Sequence, residues 1–349
     1  MEKPLRYIIL GAGAIGSAVG GLLLKAGSRV KMVARPAYAE ALARGITIKQ
    51  EGEETRVTAD AVTHARDLSP ESGDVLVIAT KSQATETAVG ELSEVYGTDT
   101  PVVCLQNGVR NEEIAARRFD RVYAALVMLS AVQLEPAVIR LPRGRDIALG
   151  LYPEGTDALS LRMSEDLKRA GFDSISSAHV MSMKWGKLVA NLNNATHAIT
   201  GYWLERGMAE PDMRELMVAV REEGMRVLDA AGVAYEPPPG EPSPVRIREM
   251  TDKLKQAFAP QGDPAARPEE SRTYASMWQD LYLRRPSNEA RFLNGEIIEL
   301  GKEVGVATPY NSTLLEIVGR MFEEGAGPGI YTPSDLHALI RARFRGVGP

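Results

Sequence analysis

The chain has 349 residues, enough for two domains with separate hydrophobic cores. Its formal net charge of −5 argues against nucleic acid or an anionic membrane as the main partner, so any anion site must be a local arrangement of donors. A lone cysteine, Cys104, excludes an intrachain disulfide, and no apolar stretch approaches the roughly 20 residues of a membrane span.

Cys104 lies in the apolar run Val102-Val103-Cys104-Leu105 with no cation beside it in sequence, so it reads as a core thiol rather than a nucleophile. The N-terminus enters a strand almost at once, without the layout of a signal peptide, and a reducing cytoplasm is the expected compartment.

Tyr7-Ile8-Ile9-Leu10 reads as a short buried strand, and Ala14 to Lys25 as a helix closed by Gly27. Between them stands Gly11-Ala12-Gly13-Ala14-Ile15-Gly16, a G-x-G-x-x-G pattern in the strand–turn–helix context that dinucleotide binding requires. Gly11 permits the tight turn. Gly13 lets the backbone approach a pyrophosphate seated on the helix N-terminus, and Gly16 brings the helix close to the sheet, a contact that Gly20-Gly21 extend. Arg29 to Ala34 completes a βαβ unit. Arg35 follows, where an NAD site usually carries an acid for the ribose hydroxyls. An arginine there suits the 2′-phosphate of NADP, which makes NADPH the expected cofactor.

Val75 to Ala79 and Pro101 to Leu105 are further apolar strands. Alternating with helices, they indicate a parallel sheet covered on both faces. Lys81 and Gln106-Asn107-Gly108 follow these strands at the carboxyl edge of the sheet, where ligands bind. Lys81 is placed for the adenosine phosphate or ribose. Asn107 is placed for the nicotinamide edge or the substrate, although Asn-Gly is also an ordinary turn signal.

Near residue 180 strand signals largely stop, and helical character appears around 184–200, 211–231, 272–284, 288–304 and 311–324. The expected division is a dinucleotide-binding domain over 1–180 and a helical domain over 181–349. A Pro-rich surface excursion at 236–270 interrupts the second, with one helix from Val245 to Phe258 inside it. In Met183-Lys184-Trp185-Gly186-Lys187-Leu188-Val189-Ala190-Asn191, Lys187 and Asn191 share one helix face. An ammonium there can protonate a carbonyl oxygen as a hydride arrives, and the amide can hold the same oxygen. Lys184 lies on a similar face, so pattern alone does not choose between the two lysines. Glu289 begins a helix, where a negative charge is favourable in any case, and Ser276 is one hydroxyl in a helix. His64, His179, His197 and His337 are dispersed and form no metal-ligand spacing, so no metal is assigned.

These pieces, in this order, resemble the ketopantoate (2-dehydropantoate 2-) reductase family over nearly the whole chain apart from 236–270. The resemblance rests on Gly11–Gly16, Arg35, Thr80-Lys81, Gln106-Asn107-Gly108, Trp185-x-Lys187-x-x-x-Asn191, and Ser276-Met277-x-Gln279-Asp280 followed by Glu289 and Asn294-Gly295. It implies an α/β N-terminal Rossmann domain, an all-α C-terminal domain like that of 6-phosphogluconate dehydrogenase, and an active site between them. It also implies that Lys187 and Glu289 are the catalytic pair, that Asn107, Asn191 and Ser276 bind substrate, and that NADPH reduces a small 2-oxo acid. The leading substrate is 2-dehydropantoate, giving (R)-pantoate for pantothenate synthesis. By the resemblance the Trp-x-Lys frame selects Lys187 over Lys184.

The departures cluster on the substrate side. Ala195 stands where some members carry a further asparagine, with Asn194 one place off. Gly201 to Arg206 lacks a substrate-contacting asparagine, Thr273 replaces another, and one extra residue separates Ser276 from Glu289. A specialised reductase of another 2-oxo acid, ketone or imine is therefore the alternative, with an NADPH-binding regulator without turnover as a remote one. The sequence does not give the oligomeric state, and a homodimer stays open.

Overall fold

The computed structural model describes residues 3–50, 52–237, 272–285 and 289–344. The Pro-rich excursion lies outside them from residue 238 on, as does the helix expected at Val245 to Phe258. The chain packs as two compact units, Met1–Lys184 and Trp185–Pro349.

The first unit runs β1 (Arg6–Leu10), α1 (Ala14–Lys25), β2 (Arg29–Val33), α2 (Pro36–Arg44), β3 (Ile46–Gln50), β4 (Glu53–Val57), β5 (Asp60–Val62), β6 (Asp74–Ile78), α3 (Thr85–Ser93), β7 (Val102–Cys104), α4 (Asn111–Ala116), β8 (Val122–Glu135), β9 (Val138–Leu151), α5 (Ala158–Arg169) and β10 (Asp173–Ser176). All ten strands form one sheet in the order β4-β3-β9-β8-β7-β6-β1-β2-β5, with β10 also on β9. β1 pairs in parallel with β2 on one side and β6 on the other. The strand order therefore reverses at β1, opening a crevice at the carboxyl ends of β1 and β6.

β1 is buried along its whole length because both faces are covered. Ile9, Val77, Val103 and Leu23 belong to one core; Ile8, Leu76, Cys104 and Leu92 belong to the core on the other face. Cys104 is fully buried, and burial pushes its thiol well above the ordinary range, as the core reading requires. α1 sits close to the sheet: a Cβ on Gly21 would come 2.8 Å from Ile48 Cδ1. At the amino edge, buried Arg6 makes a bidentate pair with Asp74 at 2.7 Å and ties β1 to β6.

The sheet is mixed rather than purely parallel. β8 and β9 are antiparallel partners of fourteen residues each, and β3 and β4 form an antiparallel pair. The β8–β9 hairpin turns at Pro136-Ala137, with Ala137 at φ 62°. A two-residue turn allows antiparallel pairing only, whereas the βαβ units force parallel pairing.

α6 (Val180–Asn191) runs from the first unit into the second. There follow α7 (Asn193–Thr200), α8 (Leu204–Ala209), α9 (Pro211–Ala231), α10 (Ser276–Tyr282), α11 (Asn294–Val304), α12 (Pro309–Glu323) and α13 (Pro333–Arg343). Among the described residues the second unit holds helices and no strand. α9 buries Met213, Leu216, Val220, Val227 and Leu228, spaced as one helix face, with Ile297, Leu314 and Ile317 also fully buried nearby in the chain's helical half. Glu289–Phe292 is a short 3-10 turn, and the α-helix begins only at Asn294, later than the sequence pattern predicts. Among the described residues no helix is long and apolar enough to cross a membrane.

Candidate functional site

In the first unit the loop Gly11–Gly16 lies at the β1–β6 crevice. Gly11 sits at φ +116°, and a Cβ there would lie 2.7 Å from the carbonyl carbon of Ala79. A Cβ on Gly16 would lie 2.0 Å from the carbonyl oxygen of Gly11. These two glycines are demanded by the protein's own backbone. Gly13 is different: its φ of −74° suits any residue, and a Cβ there would meet nothing within 4 Å. Its absence of side chain leaves open space beside the N-terminus of α1. That terminus has no side-chain cap and no acidic residue in its first turn. The amides of Ala14 and Ile15 therefore remain available to an anion. Ala12 is fixed from behind, its carbonyl accepting from Gln133 Nε2 at 3.1 Å and Ser17 Oγ at 3.1 Å.

Arg35 caps the carboxyl end of β2 at the start of α2. It is exposed, with its guanidinium carbon 5.1 Å from the ring centroid of Tyr38. Stacking on the aromatic face restricts a side chain that would otherwise wander. These features fit a dinucleotide with a phosphate near Arg35.

Beyond β6 and β7 the loops are knitted together. Gln106 Nε2 donates to the Thr80 carbonyl and to Thr85 Oγ1, both at 2.9 Å. The carbonyl of Asn107 accepts from Ser82 Oγ at 2.9 Å and from Asn111 Nδ2 at 2.7 Å. Thr85 Oγ1 in turn donates to Asn111 Oδ1 at 2.7 Å. Asn107 and Lys81 are thus held by half-buried backbone on one edge of the sheet. The sequence pattern did not point to Ser82, Thr85 or Asn111. Ser82 and Thr85 are scaffold hydroxyls whose partners lie more than twenty residues away, and Asn111 joins Thr85, 26 residues away, to the nearby Asn107 carbonyl.

Within α6 the structure separates the two lysines. Lys184 is 3% exposed and forms an ion pair with Glu112, which is fully buried on α4. Lys187 and Asn191 are half-buried one turn apart. Glu112 follows the Asn107 loop in sequence, but nothing in the local pattern pairs it with a residue 72 positions away. Removing one partner of a buried pair strands the other's charge, at a cost of about 3–5 kcal/mol. Lys184→Ala should therefore lower stability by that amount in urea unfolding. Replacing both partners together, Glu112→Leu with Lys184→Met, should recover most of it. Equal losses in the single and double variants would mean the pair contributes through packing alone.

Leu192 keeps helical backbone angles between α6 and α7, so the helical path continues and Lys187, Asn191 and Asn194 follow one another along one face. Asn194 Nδ2 lies 3.4 Å from Ser276 Oγ on α10. Asn194, one place off the position of that further asparagine, thus reaches Ser276. Ala195 is fully buried. Thr273 is turned onto Glu205, with its Oγ1 donating to Oε1 at 2.9 Å. Glu289 opens the 3-10 turn that leads to Asn294.

Two family models match the chain: "Ketopantoate reductase PanE/ApbA" over residues 7–154 and "Ketopantoate reductase PanE/ApbA C terminal" over 179–322. A curated 2-dehydropantoate 2-reductase of Pyrococcus horikoshii is 31% identical over 93% of this chain and 99% of its own. Among solved structures, a PanE/ApbA family ketopantoate reductase from Ralstonia eutropha JMP134 superposes with a TM-score of 0.75 at 23% identity, covering 92% of this chain and 99% of its own. D-mandelate dehydrogenase with NADH and anilino(oxo)acetate superposes with a TM-score of 0.77 at 21% identity, over the same shares. At such identities these two structures speak to the fold. The two models and the curated relative together span both units, and they place this chain, an oxidoreductase, in the ketopantoate reductase family.

Proposed function

We propose that the chain uses NADPH to reduce the ketone of a small 2-oxo acid, 2-dehydropantoate first among them, to the 2-hydroxy acid. The observation that carries this reading is the polar face Lys187–Asn191–Asn194 with Ser276 at its far end. A cation followed by amides and a hydroxyl matches a ketone oxygen followed by a carboxylate. Residues Gly11 to Gly16, with Arg35, Lys81 and Asn107, are assigned to holding the dinucleotide.

When bound, NADPH supplies the hydride. Lys187 donates a hydrogen bond to the ketone oxygen and gives up its proton as that oxygen turns to alkoxide, so hydride on carbon and proton on oxygen complete the alcohol. The lysine regains a proton from solvent. Glu289 orients the lysine or a substrate hydroxyl, Asn191 and Asn107 position the substrate, and Ser276 with Asn194 holds its carboxylate. Loss of NADPH absorbance with 2-dehydropantoate, set against a panel of other 2-oxo acids, tests the reading. Failure of every acid to oxidise bound NADPH would favour a regulator without turnover.

A second reading, a reductase of a bulkier 2-oxo acid, is favoured by the substrate-side differences. Ala195 offers no amide, and Thr273 is engaged by Glu205. A higher kcat/KM for an aryl or branched 2-oxo acid than for 2-dehydropantoate would select it.

The cofactor assignment gives its own expected result. A charge-assisted hydrogen bond contributes about 1.5–3 kcal/mol. Arg35→Ala should therefore weaken NADPH roughly ten- to a hundred-fold in a binding titration and leave NADH almost unchanged. Equal losses for both nucleotides would reduce Arg35 to part of the scaffold.

A further inference from the structure

Glu289 and the pair Lys187 and Asn191 reach the second unit on different elements, and chemistry between them demands that those elements keep a fixed register. A chain of buried side chains makes that connection. It starts at Glu223 on α9, which is fully buried. Its carboxylate accepts from the backbone N–H of Tyr310 and of Asn311, each at 2.8 Å, in the first turn of α12. It also accepts from Asn311 Nδ2 at 2.8 Å. A carboxylate at a helix N-terminus is well placed electrostatically, and it only accepts. The amino group of Asn311 must therefore face Glu223, and its oxygen must face away. That oxygen accepts from Asn294 Nδ2 at 2.9 Å. The second hydrogen of the same Nδ2 goes to the backbone carbonyl of Leu192 at 3.1 Å. Each member is fixed in one orientation by the one before it, and the series ends at the junction of α6 and α7, one residue past Asn191. Asn294 and Asn311 are both fully buried, so no solvent competes for these bonds. The same junction is tied to α9 by Arg221, which donates to the Ala190 carbonyl at 3.3 Å, and by Asn193 of α7, whose Nδ2 donates to the Met217 carbonyl of α9 at 3.1 Å.

Asn294 follows the 3-10 turn that Glu289 opens. Its amide therefore joins the Glu289 segment to the helix carrying Lys187 and Asn191. We propose that Glu223, Asn311 and Asn294 form a positioning relay that sets the Glu289 segment in register with that helix. The proposal rests on reading Lys187 and Glu289 as the reacting pair. Asn294 and its partners touch no substrate in this scheme. They act through the backbone they hold.

Displacing a reacting group by about 1 Å can cost on the order of 10²-fold in rate. Asn294→Ala, compared with the wild type at a temperature where both are folded by circular dichroism, should lose about ten- to a hundred-fold in kcat. KM should stay within about threefold and the NADPH dissociation constant should not move, because the relay lies outside the cradle. Amide hydrogen exchange should quicken in two segments at once, 187–196 and 289–294. Glu223→Gln keeps shape but lets the amide of Asn311 turn round, and it should change the same quantities in the same direction by less. It decides the matter by the same criteria if Asn294→Ala does not fold. An unchanged kcat in a folded variant overturns the relay, because a merely stabilising network would lower the melting temperature alone. So does faster exchange confined to one of the two segments. If the wild type reduces no 2-oxo acid, the functional reading has failed, and the exchange measurement alone decides the relay.

Discussion

Lys187→Ala should lower kcat by about 10²–10⁴-fold with NADPH affinity nearly intact. The variant removes both the proton donor and the positive charge beside the developing alkoxide. Its side chain is half-buried, and the buried apolar side chains of the helix are those of Val180, Met183, Leu188 and Val189, which the variant leaves in place. The informative comparison is Lys184→Ala, assayed at a temperature low enough to keep it folded. Lys184 is engaged by Glu112 in the interior, so its loss should reach stability first and chemistry second. If folded Lys184→Ala is the variant without turnover, the Trp-x-Lys frame has been misaligned. If neither lysine affects kcat, the proton comes from elsewhere and the mechanism falls even though the family stands. Glu289→Gln keeps the shape, removes the charge, and should also slow turnover.

Gly13→Val should abolish dinucleotide binding while leaving the melting temperature almost unchanged. The backbone at Gly13 is in an ordinary extended conformation, and a Cβ there meets no protein atom. Valine therefore costs the apo fold little, and its branches stand where the pyrophosphate would approach the helix amides. Gly16→Val provides the contrast, because its Cβ would collide with the Gly11 carbonyl and the fold itself should suffer. Titration with NADPH and a thermal melt of each variant separate the two roles. Near-normal NADPH affinity in Gly13→Val would remove the dinucleotide assignment of this loop.

The strand–turn–helix of the glycine loop was legible because its requirements are contiguous. A strand, three glycines and a helix sit within twenty residues, and the positive φ of Gly11 and the close approach of Gly16 to the Gly11 carbonyl are local constraints. The apolar runs at β1, β6 and β7 were legible for the same reason: a strand covered on both faces is apolar throughout. The long β8–β9 hairpin was not. Runs such as Arg140-Leu141-Pro142-Arg143 mix charge and proline with apolar residues. Their strand character comes from the partner across the hairpin.

In the helical unit, the helix face bearing Lys187 and Asn191 followed from helical spacing alone, which is a property of consecutive residues. The order of motifs along the chain was enough to suggest the family. Which lysine is buried was a matter for the tertiary structure, because the answer is Glu112, 72 residues away. The contact of Asn194 with Ser276 spans 82 residues, and the bonds from Asn294 to Leu192 and from Asn311 to Glu223 span 102 and 88. Local pattern constrains backbone conformation and the face a side chain occupies. The partner that a side chain meets on that face is set only when distant segments pack, and there the burial of a charge or an amide leaves few partners that satisfy it.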